Sequence, residues 1–565
     1  MLGKLTLFVA LLVSLPARAA ITIDLSYVDK QSAAYAAFKN FVDDEVGGNQ
    51  GYGFAAADAA YMYKLTGQAQ YATLAVQMVE KQVSDAEAAI ALSNSPDIAG
   101  DSYLEVGAML EDLAFAYDWC ADHTTLSQRT RWAAYAEQAV SNVWGDPAHA
   151  KWGNVEHPWS GWGVNDPANN YHYSFLRATL YWGLASNNAT WINLLKNTKW
   201  PEQENYTASI AGGGSQEGTG YGLSHGTLFM LYRVWHDSIG TDIGNANAHL
   251  TGSIYWWIHA TVPTLDRVAA IGDQSRVSEP VIYDYHRHLM LEARKVSNNA
   301  TAQANASWWL HSISDQNMQS GFNDRHNLLP AGPAGSPPAS LTYYAPGTGQ
   351  LFSRTGWDDH AMWLQFAAGP YTQSHAHQDQ GSFTLFERDW LAVTENIWTH
   401  SGIQQGTETN NVVRFDNAGS IVEQRSYPPT TSTMTVTPGA NGAVHAVANL
   451  TPAYAGDPAL TSWQRTIDFA NHKLTVNDGF TLGSGTTATF QVNTPVQPII
   501  NGKTAQAGAL TIKVISPVNA TLSALNWSTL DINEFNQGWR LDIKGGTTGY
   551  VVELSVDAIF ADGFQ

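Results

Sequence analysis

Histidine and acidic side chains are concentrated in residues 374–383, which read SHAHQDQGSF. The segment stands at the start of a predicted strand, where alternate side chains share a face, so we expect His375, His377 and Asp379 on one face. Three ionisable groups on one face are costly to bury unless they bind a metal, pair with each other or line a cleft. The alternative is a solvated face on which Asp379 only orients a histidine.

Two further clusters of residues that could take part in catalysis or binding lie in the first half of the chain. Residues 165–174 read NDPANNYHYS and lead into a predicted helix, and residues 212–222 read GGGSQEGTGYG. Glycines let a backbone approach a ligand closely, and Tyr221 is expected at the head of the helix that follows. The alternatives are that the first cluster only caps a helix and that the second is an ordinary glycine-rich loop.

The elements that must position these clusters are helices in the first half of the chain. From about residue 30 to residue 325, apolar residues recur at helical spacing in runs of roughly 10–18 residues. Short clusters of Gly, Asn, Asp or Thr separate one run from the next. Many consecutive helices with short links predict hairpins packed side by side, as in an α/α toroid.

The second half has the pattern of strands. Residues 328–349 read LLPAGPAGSPPASLTYYAPGTG, and that density of Pro and Gly marks a boundary. Beyond it apolar and polar residues alternate, and Asp478-Gly479 and Asn501-Gly502 are predicted hairpin turns. We therefore predict an N-terminal incomplete α/α toroid over residues 20–328, a linker over 329–349 and a C-terminal antiparallel β-sandwich over 350–565.

Residues 1–19 have the pattern of a signal peptide. Lys4 supplies a positive start, residues 5–15 form an apolar core, and Ala17-Arg18-Ala19 places small residues at the cleavage site. The apolar run is too short to span a bilayer, and no later stretch of about twenty apolar residues appears. We expect a secreted or periplasmic protein, cleaved near Ala19 and without stable membrane insertion.

Composition excludes several classes of protein. The 565 residues include 29 basic and 50 acidic side chains, a formal charge of −21, which argues against a nucleic-acid partner. Loss of Lys4 and Arg18 with the signal peptide leaves 27 basic residues and a charge of −23. Cys120 is the single cysteine, so an intrachain disulfide and a thiolate-rich zinc site are excluded.

The order of several segments resembles the heparinase II/III-like polysaccharide lyases. The matching segments are Ala116-Tyr117-Asp118-Trp119, residues 352–357, residues 364–369 and residues 375–383, the last being the most specific. The resemblance covers most of the mature chain and implies the same toroid and sandwich. It also implies cleavage of a uronic-acid-containing polysaccharide by β-elimination. In that reaction a proton leaves C5 of the uronate and the glycosidic oxygen leaves C4, while the enzyme stabilises charge that develops on the carboxylate.

The resemblance implies catalytic roles for four residues. Asn170 matches the asparagine that faces the substrate carboxylate, and His172 is a further candidate for that role, although Tyr171 separates it from the asparagine pair. Tyr221 matches the tyrosine after a Glu-Gly motif, the expected acid and a candidate base. His375 matches the histidine at the cleft between the domains.

Candidate substrate-binding residues surround these four. They are Glu217, Arg276, Arg354 and Trp162. The arginines would make a locally positive cleft on a negative body, because salt screens the net charge beyond about 8–10 Å. Tryptophan stacks on sugar rings, although most of the 21 tryptophans must belong to the core. The alternative for each arginine is a pair with a surface carboxylate.

The predicted elimination requires no cofactor, but a structural zinc ion is an alternative. The resemblance implies a ligand at His377 and an aspartate on the next strand, where this chain has Thr394 with Glu395 beside it. The position of a later histidine ligand reads Asn410 or Asn411. Zinc needs three or four donors, so His377 and Glu395 are the remaining metal candidates.

Two other functions remain open at this point. A glycoside hydrolase on an α/α toroid would need two carboxylates about 5–10 Å apart, for which Glu217, Asp273 and Glu279 are candidates. A non-catalytic carbohydrate-binding protein is the third possibility. In each case we expect an acidic polysaccharide or related glycan as partner.

Overall fold

We describe a computed structural model of the chain that covers residues 20–274 and 280–556. The predicted signal peptide, residues 1–19, and two candidate residues, Arg276 and Glu279, lie outside the described residues. None of the described helices has both the length and the apolar character needed to cross a membrane.

Helices make up the first half of the described chain, as predicted. Their bounds are α1 Ala33–Val46, α2 Ala56–Thr66, α3 Ala69–Ala91, α4 Val106–Trp119, α5 Leu126–Trp144, α6 Asn170–Ser186, α7 Ala189–Leu194, α8 Trp200–Ser209, α9 His225–Ile239, α10 His249–Ala260, α11 Asp284–Val296 and α12 Ala300–Ser312. Two short strands, β1 Lys151–Trp152 and β2 Val155–Glu156, pair between α5 and α6.

Helical periodicity and capping explain these elements. In α3, buried residues such as Tyr71, Ala75, Val79 and Val83 recur every four positions and form one apolar stripe. α6 begins after Asn169, whose side chain accepts a hydrogen bond from the backbone N–H of Tyr171. Neighbouring helices pack against each other: α4 against α6, α2 against α3 and α4, and α9 against α11.

Antiparallel sheets make up the second half. The strands are β3 Thr342–Ala345, β4 Gln350–Arg354, β5 Trp363–Ala367, β6 Pro370–Tyr371, β7 Phe383–Glu387, β8 Asp389–Ala392, β9 Val413–Asn417, β10 Ser420–Ile421, β11 Thr430–Thr431, β12 Thr433–Pro438, β13 Val444–Asn449, β14 Leu460–Ala470, β15 Lys473–Leu482, β16 Thr486–Thr494, β17 Ile499–Asn501, β18 Thr504–Ala507, β19 Leu510–Ser516, β20 Thr521–Asn526, β21 Trp539–Lys544 and β22 Gly549–Val556. One short helix, α13 Trp527–Leu530, lies between β20 and β21.

Three of the sheets carry most of these strands. The largest has the order β12-β13-β14-β15-β22-β19-β18-β17, and the two five-stranded sheets have the orders β10-β9-β16-β21-β20 and β3-β4-β5-β7-β8. β6 and β11 form a separate pair. The predicted fold class, helices followed by an antiparallel sandwich, is confirmed.

Some local predictions differ from the structure. Strand β3 lies inside the segment predicted as linker, because it pairs with β4. The hairpin predicted at Asn501-Gly502 forms between β17 and β18, with its loop at Gly502 and Lys503. The turn predicted at Asp478-Gly479 is wrong, since both residues lie inside β15 and pair with β14 and β22. A charged residue is tolerated inside this strand because the Asp478 carboxylate pairs with a buried arginine.

That arginine, Arg465 on β14, connects the sheet to the chain just before β7. Its Nε and Nη2 donate to the two carboxylate oxygens of Asp478 at 2.8 and 2.9 Å, and both side chains are fully buried. Nη1 donates to the carbonyl oxygens of Gly381 and Asn411 at 2.6 and 2.9 Å. The ion pair therefore fixes the end of the segment that contains His375 and His377.

We expect Arg465→Met to lower the free energy of unfolding by about 3–5 kcal/mol, because it leaves the buried Asp478 carboxylate without its cationic partner and with only the indole N–H of Trp463 as side-chain donor. Urea unfolding followed by circular dichroism measures the change. The control is Arg425→Met, which removes a half-exposed pair with Asp457 and should cost less than about 1 kcal/mol. Equal losses in the two variants would contradict this account of the Arg465 pair.

Candidate active site

Tyr221 and His375 meet where the helical half faces the sandwich. Their rings are parallel, with centroids 3.7 Å apart and planes inclined by 5°. Tyr221 directly precedes a short 3-10 turn, Gly222–Ser224, that leads into α9, so it stands at the head of that helix as predicted. The two residues are 154 positions apart in the chain, and the fold brings their side chains into contact.

The segment that contains His375 is a loop rather than a strand. It connects β6 to β7, and regular strand structure begins only at Phe383. The predicted alternation of faces therefore does not apply to His375, His377 and Asp379. His375 and His377 nevertheless point to one acceptor, which belongs to the helical half.

That acceptor is the carboxylate of Asp273. Its Oδ2 lies 2.9 Å from Nδ1 of His375, and its Oδ1 lies 2.8 Å from Nε2 of His377. Gln405 Nε2 donates to the same two oxygens at 3.0 and 3.2 Å and to the carbonyl of Ser374 at 2.9 Å. Burial alone would raise the pKa of Asp273, but the hydrogen bonds from His375, His377 and Gln405 outweigh it and lower the pKa to about 2.

The charge on Asp273 determines which nitrogen of each histidine donates a hydrogen bond to it. An ionised carboxylate only accepts hydrogen bonds, so His375 donates from Nδ1 and His377 donates from Nε2. In a neutral His375 ring the other nitrogen, Nε2, is then the one without a proton. Asp273 thus fixes both the orientation and the tautomer of His375.

Close backbone packing holds these segments together. The amide of Asp273 donates to the carbonyl of His375 at 3.0 Å, and the amide of Thr219 donates to the carbonyl of Ile271 at 2.8 Å. Gly272 has φ +74°, and a Cβ there would collide with the carbonyl oxygen of Glu217. A Cβ on Gly220 would collide with the carbonyl oxygen of Asp273. Both positions require glycine because three chain segments approach closely beside Tyr221.

Asn170 and Glu217 are linked behind Tyr221. Asn170 is the first residue of α6, and its backbone N–H donates to Oε1 of Glu217 at 3.3 Å. Glu217 is completely buried, so the prediction that it contacts substrate is wrong; it supports Asn170 instead. Burial raises the pKa of Glu217 to about 8. Glu217 is therefore a neutral acid at pH 7.

His172 does not reach the cleft. Its side chain is fully buried within the first turn of α6, with Nδ1 3.1 Å from the carbonyl oxygen of Gly163 and the ring packed edge-on against Trp144. Burial, helped by the nearby charge of Lys199, lowers the pKa of His172 to about 4, so the ring is neutral. The predicted contact between His172 and a substrate carboxylate is wrong for this reason.

The substrate-binding candidates have different positions. Arg354 is fully buried, donates from Nη2 to the carbonyls of His259 and Thr261 at 3.0 and 2.6 Å, and stacks on Trp357. It therefore anchors the sheet β3-β4-β5-β7-β8 to α10 and cannot contact a substrate, contrary to prediction. Trp162 is 49% exposed, and its ring centroid lies 6.2 Å from that of Tyr171, the residue after Asn170. Arg276 lies outside the described residues.

The residues do not fit a zinc site. In the described ranges, no group of three or more His, Cys, Asp or Glu side chains is arranged to hold a metal ion. His377 uses Nε2 for Asp273, whereas Glu395 is buried next to Gly538 and Arg540, where burial raises its pKa well above the usual range. His377 and Glu395 therefore contact different residues, which argues against the prediction that they bind one metal ion together.

Sequence reasoning missed the role of Asp273 as the acceptor for both histidines. It entered only as a candidate carboxylate for hydrolysis, because 102 positions separate it from His375. Gln405, Asp101 and Tyr171 were also missed as neighbours of the site. No local signal singles out Asp273, because its Gly-Asp dipeptide also occurs at 100–101, 145–146 and 456–457.

Comparison with solved structures gives the same fold over nearly the whole chain. A crystal structure of heparinase III matches with a TM-score of 0.61 at 12% identity, covering 95% of this chain and 87% of that one. A heparan sulfate lyase from Pedobacter heparinus matches at 0.58 and 14%, covering 95% and 86%. The chondroitin AC lyase of Streptomyces coelicolor A3, in complex with chondroitin sulphate, matches at 0.57 and 10%, covering 94% and 80%.

No protein-family model and no curated protein sequence matches the chain. At these identities the structural likeness establishes the fold and leaves the chemistry to the residues of the site. The chain therefore has the toroid-and-sandwich fold of heparinase III, and the resemblance seen in its sequence is confirmed at the level of fold.

Proposed function

We propose that the protein is a polysaccharide lyase that cleaves a uronic-acid-containing polysaccharide by β-elimination. The observation that carries this proposal is the contact of Tyr221 with His375 under the control of Asp273. It places one aromatic hydroxyl and one oriented imidazole side by side at the interface between the helical half and the sandwich. Proteins with the same fold include lyases that act on heparan sulfate and chondroitin, which supports the same assignment.

Tyr221 and His375 supply the proton transfers in this proposal. The C5 proton of the uronate goes to Nε2 of His375, and the Tyr221 hydroxyl gives its proton to the departing C4 oxygen. Burial raises the pKa of Tyr221 and the nearby Asp273, Glu217 and Asp101 raise it further, so Tyr221 starts as a protonated phenol. That state suits the donation of a proton to the leaving group.

Asn170 stabilises the charge that develops on the substrate carboxylate. It stands at the N-terminus of α6, where the backbone N–H groups and the helix dipole also favour negative charge. Its side-chain Nδ2 is the group that donates to a carboxylate in this proposal, and Asn170 is only partly buried. Glu217, neutral at pH 7, holds the backbone of Asn170 without adding a negative charge beside the carboxylate.

The hydrolase alternative receives less support from the described carboxylates. Hydrolysis requires two of them to face one glycosidic bond. Glu217 is completely buried, and both oxygens of Asp273 accept hydrogen bonds from the two histidines. Neither is free to take the role of acid or nucleophile on a sugar.

The test is an assay of purified protein against a panel of uronate polysaccharides with ultraviolet detection. Elimination creates a conjugated unsaturated uronate that absorbs in the ultraviolet, whereas hydrolysis creates only new reducing ends. Reducing ends without absorbance would establish hydrolysis. Binding without either product would establish a carbohydrate-binding protein.

We also propose that the protein is exported to the periplasm or secreted, because residues 1–19 have the pattern of a signal peptide. N-terminal sequencing of the mature protein tests this, with an expected first residue near Ala20.

Tyr221→Phe and His375→Ala should each lower kcat at least about a hundredfold, because each removes a positioned proton donor or acceptor. The measurement is the initial rate of ultraviolet absorbance increase. The controls are Tyr255→Phe on α10 and His445→Ala on β13, which are the same changes away from the site. Rates like those of the wild type in both site variants would refute the assignment.

Asp273→Asn should lower kcat about a hundredfold with KM changed less than about threefold. Asparagine offers one acceptor oxygen and one NH₂ group, so it cannot accept from His375 and His377 together. The measurement is a pH–rate profile beside circular dichroism, since a positioning role shifts the profile of a folded variant. An unchanged kcat and profile would show that Asp273 does not control His375.

Glu217→Gln should keep most of the activity at pH 7 and extend it to higher pH. The pKa of Glu217, about 8, means that its carboxyl is neutral below pH 8 and becomes charged above it, next to Asn170. The ionisable groups that interact electrostatically with Glu217 are Asp166, Asp273, Tyr173, Tyr206 and Tyr221. Wild-type kcat should therefore fall above about pH 8.

The pH–rate profiles of wild type, Glu217→Gln and the exposed control Glu105→Gln check this prediction. Glutamine mimics the neutral acid, so only Glu217→Gln should lose the fall above pH 8. A large loss of activity at pH 7 in Glu217→Gln would mean that the ionised form is the active one.

A further inference from the structure

Gln405 contacts both ends of the short segment that carries the two histidines, residues 374–378, which we call the histidine segment. Its side-chain Nε2 donates to the carbonyl oxygen of Ser374 at 2.9 Å. Its backbone carbonyl oxygen accepts from the N–H of Gln378, also at 2.9 Å. One residue of a neighbouring loop therefore fixes the segment at its first and its last residue, on either side of both histidines.

The second N–H of the Gln405 side chain is directed at Asp273. Nε2 lies 3.0 Å from Oδ1 and 3.2 Å from Oδ2 of the carboxylate, so the two oxygens share this hydrogen. Rotation of the carboxylate would lengthen at least one of these contacts, and Gln405 therefore opposes it. As a result Oδ2 is held towards His375 and Oδ1 towards His377.

The loop that carries Gln405 is attached to the interior of the sandwich. The fully buried Gln491 on β16 donates from Nε2 to the carbonyl of Thr407 at 3.0 Å. The backbone N–H of Gln404 donates to Oδ1 of the fully buried Asn396 at 2.8 Å. Buried amide side chains thus support the chain on both sides of Gln405, which limits the movement of its side chain.

A neutral donor suits this position. Asp273 is ionised, and His375 and His377 each donate to it already. Glutamine adds a further donor that carries no positive charge and has no proton to transfer to the carboxylate at ordinary pH. Gln405 therefore stabilises the anion that orients His375 without taking part in the proton transfers themselves.

We propose that Gln405 is a positioning residue of the candidate active site, which holds the histidine segment and the Asp273 carboxylate in the arrangement that directs Nε2 of His375 to the substrate. Its side chain acts on the substrate only through these groups. A substitution removes the two contacts of the side chain and keeps the bond from Gln378 to the backbone carbonyl. This inference rests on the proposed lyase function and adds to it a residue that works through His375.

The test compares Gln405→Met and Gln405→Glu with the wild type in the ultraviolet assay. Methionine has a similar length and no donor, whereas glutamate keeps the shape, lacks the N–H groups and brings a like charge to Asp273. We expect kcat to fall at least about tenfold in Gln405→Met and further in Gln405→Glu, with KM changed less than about threefold. A role in filling space would give the opposite order, because glutamate is the closer match in shape.

Two further variants complete the set. Gln405→Asn keeps the amide but retracts it by one methylene group, so it should lose activity like Gln405→Met and replaces either longer variant that fails to fold. The matched controls are Gln464→Met and Gln464→Glu, at an exposed glutamine of β14. They make the same chemical changes away from Asp273 and should leave kcat unchanged.

Hydrogen–deuterium exchange, followed by mass spectrometry, tests the contacts of Gln405 independently of catalysis. In Gln405→Met the amides of the histidine segment and of Asp273, whose N–H donates to the carbonyl of His375, should exchange at least about threefold faster than in the wild type. Circular dichroism like that of the wild type confirms that the variant is folded. Gln464→Met should leave the exchange unchanged.

Wild-type kcat in Gln405→Met, or a smaller loss in Gln405→Glu than in Gln405→Met, overturns the positioning role. Exchange of the histidine segment at the wild-type rate in Gln405→Met overturns it as well. Absence of an elimination product from the wild type with every polymer contradicts the proposed function itself, and the exchange rates then still decide whether Gln405 holds the segment.

Discussion

The hydrogen bonds from His375 and His377 to Asp273 are the interaction on which the candidate site depends. Asp273 belongs to the helical half, and both histidines belong to a loop of the sandwich half. A buried carboxylate is stable as an anion only when donors compensate for lost water, so the two halves complete each other. The same bonds determine which nitrogen of His375 carries a proton. The hydrogen bonds that join the two halves are therefore the same ones that prepare His375 for catalysis.

The neighbouring carboxyl groups of Asp273 and Glu217 have opposite protonation states. Asp273 receives several hydrogen bonds and stays ionised, while Glu217 receives one from a backbone amide and holds its proton at pH 7. Asp101 is exposed and accepts from Tyr171. Environment therefore assigns different protonation states to two carboxyl groups beside Tyr221: Asp273 is an orienting anion and Glu217 is a neutral support.

Fold class and the central residues were predictable because they depend on local pattern. Helical spacing predicted α3, and alternation predicted β7 and β14, since each pattern reflects one buried face. Tyr221 and His375 were found through motifs. The acceptor of His375 was not, because Asp273 lies 102 positions away in sequence. Burial also escaped prediction: Arg354, Glu217 and His172 have polar side chains that look available in sequence, yet tertiary packing encloses all three.

The core of the molecule does not stop at the predicted linker. Trp363, Phe386 and Trp390 of the sheet β3-β4-β5-β7-β8, with Trp398 in the 3-10 turn after it, belong to the same apolar cluster as the helices. Nε1 of Trp363 donates to the carbonyl of His259 on α10. This sheet thus packs against the helices of the toroid and is also a layer of the sandwich. A polypeptide divided between the halves would expose these aromatic side chains to water, which argues against exchange of either half between proteins as an independent module.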